Sequence, residues 1–216
     1  MKVEKIRPTY LIREYEIIKN KEIKKILNHR NSFIEVSCPA CESDSIQFLF
    51  RKNDFVFVSC KSCETVFINP RPDIEILKDF YMNSKLQKFW NKKILASTED
   101  YRRSRIIIPR AKKVIDLCKK HRVPSKLFVD VGAGLGTFCE EISKFSIFDN
   151  IIAVEPSSYL AEICRTIKNV NVIEKIIENV DLDEASVITS FELIEHLFCP
   201  KDFLSACYNK LRGGGE

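Results

Sequence analysis

The chain has 216 residues, 45% hydrophobic and 30% charged, with a formal net charge of +5. These values fit a soluble globular protein with room for one full domain plus a small module. No apolar run approaches the ~20 residues that span a bilayer. The opening Met1-Lys2-Val3-Glu4-Lys5-Ile6-Arg7 has no apolar core like that of a signal peptide, so the expected compartment is the cytoplasm. The positive charge is spread through Lys-rich helical stretches. That pattern fits solvated helix faces and an anionic substrate without requiring nucleic acid.

Residues 1–32 read as an N-terminal helical segment. Over 9–30, Leu11, Tyr15, Ile18, Ile26 and Leu27 can share one helix face. Residues 33–72 read as a zinc ribbon. Cys38-x-x-Cys41 and Cys60-x-x-Cys63, separated by eighteen residues, can present four thiolates tetrahedrally to one Zn2+. Two strand-like runs lie between them, Ile46 to Phe50 and Phe55 to Val58, joined by an Asn53-Asp54 turn. A disulfide pairing is disfavoured in a chain without a secretion signal. So small a module buries little apolar surface, so the metal is expected to supply folding energy. Four thiolates leave no open coordination position, which makes the site structural. Cys118, Cys139, Cys164, Cys199 and Cys207 are scattered singly in apolar surroundings and read as buried free thiols.

Asn69-Pro70-Arg71-Pro72 reads as a rigid connector, because both prolines hold their neighbours extended. Residues 73–125 form a helical linker or cap. It comprises helix-like stretches over 73–95 and 101–120, with Pro109 marking a kink or break. From residue 126 to 216 strands and helices alternate. Strands are predicted at 127–131, 150–154, 170–174 and 185–190, and helices at 137–146, 157–168 and 200–211. The fold class is therefore α/β, with βαβ units around a parallel sheet.

Within that stretch Leu127-Phe128-Val129-Asp130-Val131 ends on an acid-bearing strand and enters Gly132-Ala133-Gly134-Leu135-Gly136. Glycines there allow a tight turn and close approach of a ligand to the backbone. The next apolar run, Ile151 to Val154, ends on Glu155, an acid placed to accept hydrogen bonds from ribose hydroxyls. An adenosine-containing ligand is expected. The third glycine comes one residue early for the dinucleotide fingerprint, and the Lys-Ser/Thr of a P-loop is absent.

This run with Glu155 resembles motif I and the second-strand acid of class I S-adenosylmethionine-dependent methyltransferases. Ala185 to Leu197 resembles that family's fourth strand and following turn, and Leu211-Arg212-Gly213-Gly214-Gly215 the turn before its fifth strand. The resemblance covers about residues 100–216 and implies a Rossmann-like methyltransferase domain. It implies S-adenosylmethionine over Gly132, Ala133, Gly134 and Gly136, with Asp130 near the methionine amino end. Glu155 and Pro156 would lie at the ribose, Ile177 and Glu178 at the adenine, and Ser190 and Glu192 at the fourth-strand end. The knuckles together with Val66 to Pro72 are similar to zinc-ribbon methyltransferases of bacterial surface-polysaccharide and deoxysugar gene clusters. That likeness implies a small-molecule acceptor, a nucleotide sugar or glycan precursor. The family would begin its fifth strand where the chain stops at Glu216, so the domain is expected to be truncated.

Methyl transfer needs alignment and a way to remove the acceptor's proton. The segment Ser190-Phe191-Glu192-Leu193-Ile194-Glu195-His196 follows the fourth strand, at the sheet's carboxyl end. It lacks the Asn/Asp-Pro-Pro-Tyr/Phe run of amino-group enzymes and the Pro-Cys or Thr-Cys of cytosine-C5 enzymes, so oxygen or carbon is the expected acceptor. His196, with Glu195 beside it, is the candidate general base. The same Glu192-x-x-Glu195-His196 run also resembles a metal-binding motif of some O-methyltransferases, and it can equally start a helix or hold the turn together. Trp90, Tyr101 and Arg105 can cap the cofactor or pack in a core. Two other functions fit the chain. One is an RNA methyltransferase using the ribbon for RNA; against it, the aromatic residues between the knuckles alternate like a small core. The other is a non-catalytic binding module, which the intact Asp130, glycines and Glu155 disfavour.

Overall fold

The structure, a computed structural model, describes residues 3–182 and 184–211. The chain divides into two compact units, residues 1–99 and 100–216. No helix among the described residues is long and apolar enough to cross a membrane.

In the first unit α1 (Thr9–Asn28) places Leu11, Tyr15 and Ile18 against Phe89, Trp90 and Ile94. The helical stretch expected over 73–95 is interrupted. α2 (Ile74–Asn83) is capped by Asp73, whose side chain accepts from the Ile76 amide at 2.9 Å. Ser84 then restarts the chain as α3 (Lys85–Phe89), accepting from the Gln87 amide at 3.1 Å, and a π-helical turn follows over Trp90–Leu95. A serine hydroxyl competes for backbone donors, which is why it ends one helix and starts another. Trp90 meets Tyr15 edge-on at 5.5 Å and lies under Arg7, so it is a packing residue of this unit.

The cysteine-bearing module contains a three-stranded antiparallel sheet, β1 (Ile46–Lys52), β2 (Phe55–Cys60) and β3 (Val66–Ile68), in that order. Asn53 and Asp54 both take positive φ, 51° and 64°, as a two-residue hairpin turn requires. Two sequence-based expectations are corrected here. Asn69 to Arg71, expected as a rigid connector, is hydrogen-bonded into the module itself: Ile34 and Arg71 exchange both backbone hydrogen bonds, and the Asn69 side chain accepts from the Val36 amide at 3.0 Å. The aromatic residues of β1 are not core. Val58, Cys60 and Phe67 fill the interior with Cys38, whereas Phe48 is 64% exposed and Phe50 41%. A bulge between Phe48 and Phe50 inserts Leu49 and breaks the alternation that suggested an inward face.

The chain passes into the second unit along α4 (Ala96–Arg102), followed by a π-helical turn over Arg103–Ile107 and α5 (Ile108–Lys120). Pro109 sits in the first turn of α5, directly after the π-helical turn, and the helical path continues through it without a break. Four parallel strands follow, β4 (Leu127–Val131), β5 (Asn150–Val154), β6 (Asn171–Ile173) and β7 (Val187–Thr189), in the order β6-β5-β4-β7. The strand period of two sorts the core. Phe128, Ile151 and Ala153 face α5 and α6 (Thr137–Ser143), together with Cys164 of α7 (Ser158–Cys164). Leu127, Val129, Val131 and Val154 face Ile177, Val180, Ala185 and Phe203 of α8 (Pro200–Asn209). This is a Rossmann-like sheet with helices on both faces. Leu211 pairs in parallel with Ala185, beside β7. The rest of the expected turn, Arg212 to Gly215, lies outside the described residues. Of the singly placed thiols, Cys118, Cys139 and Cys164 are buried as expected, but Cys199 is exposed and Cys207 only half-buried.

Candidate functional site

The turn after β4 takes left-handed backbone at Gly132 (φ 76°), Gly134 (59°) and Gly136 (73°). The three positions differ in what surrounds them. A Cβ on Gly132 would stand 2.9 Å from Leu193 Cδ2, and one on Gly136 2.6 Å from Ile167 Cδ1 and 2.9 Å from Cys164 Sγ. A Cβ on Gly134 would meet nothing within 4 Å. Two glycines therefore let the protein close on itself, and the middle one leaves the backbone open to a ligand. Backbone bonds fix the turn: the Gly132 and Ala133 amides donate to Val154 O, and the Gly136 amide donates to Ala133 O.

Glu155 leaves the end of β5 and reaches this loop. Its Oε2 accepts from the Gly134 amide and its Oε1 from the Ser157 amide, both at 2.9 Å. Burial raises its carboxyl above the usual range, against these two donors. A carboxylate offers about four lone-pair sites, so two remain for ligand hydroxyls. Pro156 follows it as an exposed residue at the strand end. Asp130, 4% exposed, pairs with β7, where the Thr189 hydroxyl donates to its Oδ1 at 2.8 Å. Burial pushes its carboxyl up to about 7, opposed by Thr189, by Cys139 and by the charge of Arg110.

Beyond β7, Ser190 carries a buried Oγ without a hydrogen-bond partner. A polar atom left so at the carboxyl end of a parallel strand is a place for a ligand group. Phe191 packs edge-on against Phe138 at 4.8 Å, and Arg110 of α5 lies over the Phe191 ring, its Cζ 4.3 Å from the centroid. Arg110 Nη2 also reaches Glu192 Oε1 at 3.3 Å. Leu193 covers Gly132, and Ile194 to His196 form an exposed 3-10 turn. Among the described residues the four N-terminal cysteines are the one cluster of three or more possible metal ligands, so Glu192, Glu195 and His196 do not converge on an ion. After β6, Ile177 is 2% exposed and belongs to the core, Glu178 is exposed, and the neighbouring Ile176 carries open apolar surface at 49%. Tyr101 is half-buried and Arg105 exposed. Neither Arg110 nor Ile176 stands in a sequence motif, so sequence reasoning did not single them out.

In the first unit the sulfurs of Cys38, Cys41, Cys60 and Cys63 lie within 4.8 Å of one another, with Cys38–Cys63 and Cys41–Cys60 both at 3.5 Å. Sulfurs around a tetrahedral zinc with 2.3 Å bonds stand ~3.8 Å apart. The two knuckles repeat one geometry. The Glu42 amide donates to Cys38 O and the Glu64 amide to Cys60 O, and both glutamates have φ 62°. The Thr65 hydroxyl and amide pull the Cys63 thiol down to about 6. At Cys41 the Ser43 amide pulls the same way, but Cys63, burial, Cys60 and Cys38 hold that thiol up to about 12. Charge on one sulfur opposes charge on its neighbours, and a divalent cation at the centre relieves this. The donor set is compatible with zinc.

A family described as a methyltransferase domain matches residues 100–216, the second unit. Solved structures similar to the chain include an amino pentose methyltransferase from Micromonospora echinaspora involved in calicheamicin biosynthesis, CalS10, bound to S-adenosylmethionine. It is 19% identical with a TM-score of 0.48, covering 54% of this chain and 51% of that one. Another is an S-adenosylmethionine-dependent methyltransferase from Clostridium acetobutylicum, 20% identical with a TM-score of 0.46, over 61% of this chain and 54% of that one. The plantazolicin methyltransferase BpumL is 15% identical with a TM-score of 0.49, over 62% and 52%. The chain thus spans about half the length of each. No curated protein matches it.

The glycine geometry separates packing from binding. Gly136→Ala meets both a left-handed backbone and a clash, and should lower the unfolding free energy of the second unit by about 2 kcal/mol or more in urea titrations. Gly134→Ala meets only the backbone strain, about 1 kcal/mol, and should act mainly on ligand binding.

Asp130 gives a pH dependence of definite sign. Its folded carboxyl titrates near 7 against 3.8 in the ordinary case, so the folded state favours the proton. The stability it contributes is full below about pH 4 and is lost as pH rises towards 7. Asp130→Asn should therefore gain on the wild type between pH 5 and pH 8, by at most about 4 kcal/mol, in denaturant titrations at the two pH values. A difference that is flat across that range would contradict the buried, proton-favouring carboxyl.

Proposed function

The chain belongs to the methyltransferase-domain family, and on that premise we propose that it transfers a methyl group from S-adenosylmethionine to a small molecule. The acceptor atom is an oxygen or carbon, and the acceptor a nucleotide sugar or related glycan precursor. The observation that carries the cofactor reading is the open face of Gly134 beside the buried Glu155 carboxylate and the unpartnered Ser190 hydroxyl. Backbone approach, a ribose acceptor and a buried polar atom awaiting a partner are what an adenosine ligand needs at one strand edge.

In this reading Gly132, Ala133, Gly134 and Gly136 line the cofactor's path. Glu155 takes the ribose hydroxyls on its free lone pairs, with Pro156 fixing the chain beyond it. Asp130 stands by the amino end, and Ile176, Ile177 and Glu178 mark the adenine side. S-adenosylmethionine, when bound, would supply an electrophilic methyl carbon, the electron pair of its broken bond staying on sulfur. His196, on the exposed turn after β7, removes the acceptor's proton and returns it to solvent, with Glu195 beside it and Glu192 at the same strand end. The four cysteines hold one structural zinc, which ties the two knuckles of the first unit together.

A second reading gains support from β1. The exposed Phe48, Leu49 and Phe50 adjoin Arg51 and Lys52, a surface suited to stacked bases and phosphates. The charge excess also lies in this unit: residues 1–99 hold 18 Lys and Arg against 13 Asp and Glu, and residues 100–216 hold 17 of each. RNA is therefore the alternative acceptor.

Metal analysis should find one zinc per chain in freshly purified, unoxidised protein. Cys60→Ser should abolish it and expose residues 33–68 to protease while the later sheet stays protected. Protein without stoichiometric zinc would remove the assignment.

The acceptor is tested by methyl transfer from labelled S-adenosylmethionine in the full-length protein, offered nucleotide sugars in one arm and RNA in another. Turnover confined to nucleotide sugars is expected. Turnover on RNA that falls steeply with salt, and with Phe48→Ala, would replace the first reading by the second. His196→Ala should cut turnover by ~10²–10⁴-fold with cofactor affinity nearly unchanged. Retained activity per folded molecule would reduce His196 to a turn residue.

A further inference from the structure

Arg110 is an unusual side chain in the second unit because two adjacent residues after β7, Phe191 and Glu192, hold it at one strand end. Its guanidinium lies over the Phe191 ring, the Cζ 4.3 Å from the centroid, a cation–π contact. Nη2 pairs with Glu192 at 3.3 Å, and Glu192 is itself 76% exposed against 27% for Arg110. Such a half-solvated pair is weak and readily exchanged. Other cations of the unit are engaged elsewhere: Arg103 and Lys144 pair with Glu140 and Glu141, and Arg165 with Glu174.

The methionine end of S-adenosylmethionine is a zwitterion, so a site that takes it must offer an anion for the ammonium and a cation for the carboxylate. Asp130, bonded to Thr189 at the end of β4, supplies the carboxyl, which an ammonium beside it draws towards the charged form. We propose that Arg110 supplies the cation, receiving the cofactor's carboxylate through its stacked guanidinium in exchange for Glu192. The inference rests on the S-adenosylmethionine reading given above. The charge of Arg110 also acts on Asp130, drawing its carboxyl down against burial. A planar carboxylate matches the fork of a guanidinium in two parallel hydrogen bonds, a stronger arrangement than the single contact to Glu192. Ser190 offers a hydroxyl at the neighbouring strand end.

Two probes separate this role from a general one: S-adenosylhomocysteine, which carries the carboxylate, and 5′-deoxy-5′-methylthioadenosine, which lacks the whole amino acid. Isothermal titration calorimetry on the full-length protein should show Arg110→Ala weakening the first by roughly 10–100-fold and leaving the second within about twofold. Arg110→Lys keeps the charge but not the fork, and should recover part of the loss. Arg110→Gln keeps a polar side chain, shorter and without the charge, and should behave as the alanine variant does. An unchanged affinity for S-adenosylhomocysteine in Arg110→Ala, or equal weakening of both ligands in Arg110→Gln, overturns the proposal. Wild-type protein that binds neither nucleoside overturns the cofactor reading itself, and this inference falls with it.

Discussion

The second unit depends on a short piece of backbone that only glycine can follow in comfort. Between β4 and α6 the chain must reverse within five residues while its strand is buried on both faces, and it does so with φ of 76°, 59° and 73° at Gly132, Gly134 and Gly136. Leu193 from beyond β7 and Cys164 with Ile167 from the end of α7 fill the space that side chains would have taken. The turn is thus the meeting point of segments far apart in sequence. The carboxyl ends of β4, β5 and β7 are brought beside one loop, and their acids, Asp130 and Glu155, are drawn out of water with it.

How much of this was legible in the sequence follows from where each segment lies. β4 and β5 are buried on both faces, read as continuous apolar runs, and were found at their observed limits, 127–131 and 150–154. β6 and β7 are shorter than expected, because pairing ends where the chain turns away. The glycine turn and Glu155 were visible because backbone geometry restricts what may stand there. Arg110 was not. Its partner Glu192 is 82 residues away, and no local pattern marks a cation that earns its place by stacking on a distant ring. Glu155 was read as a ligand residue, but the structure adds its grip on the Gly134 amide. In the first unit the cysteine spacing foretold a converging cluster. The outward aromatic residues of β1 were unreadable, since alternation gives a period and a bulge resets it.

The two units solve the problem of stability by different means. The second has a sheet with apolar residues on both faces and helices against each, so its cohesion comes from burial. The cysteine module has a small interior in which two of the cysteines, each 1% exposed, are themselves core residues. Its knuckles are held by paired backbone bonds that repeat at Cys38 and Cys60, and each needs a left-handed glutamate after its second cysteine. Strain of that kind persists where something outside the local chain fixes the geometry.

The hydrogen bond from the Gly134 amide to Glu155 has a consequence for rates. Because the carboxylate, Val154 O and Ala133 O already hold the turn, its shape does not wait on a ligand. A molecule arriving at this loop has little backbone to order, so its capture is governed by diffusion and orientation rather than by rearrangement. On the proposed cofactor reading, discrimination among molecules that share the same nucleoside then resides in how long each remains bound, and the side chains around the turn set that dwell time.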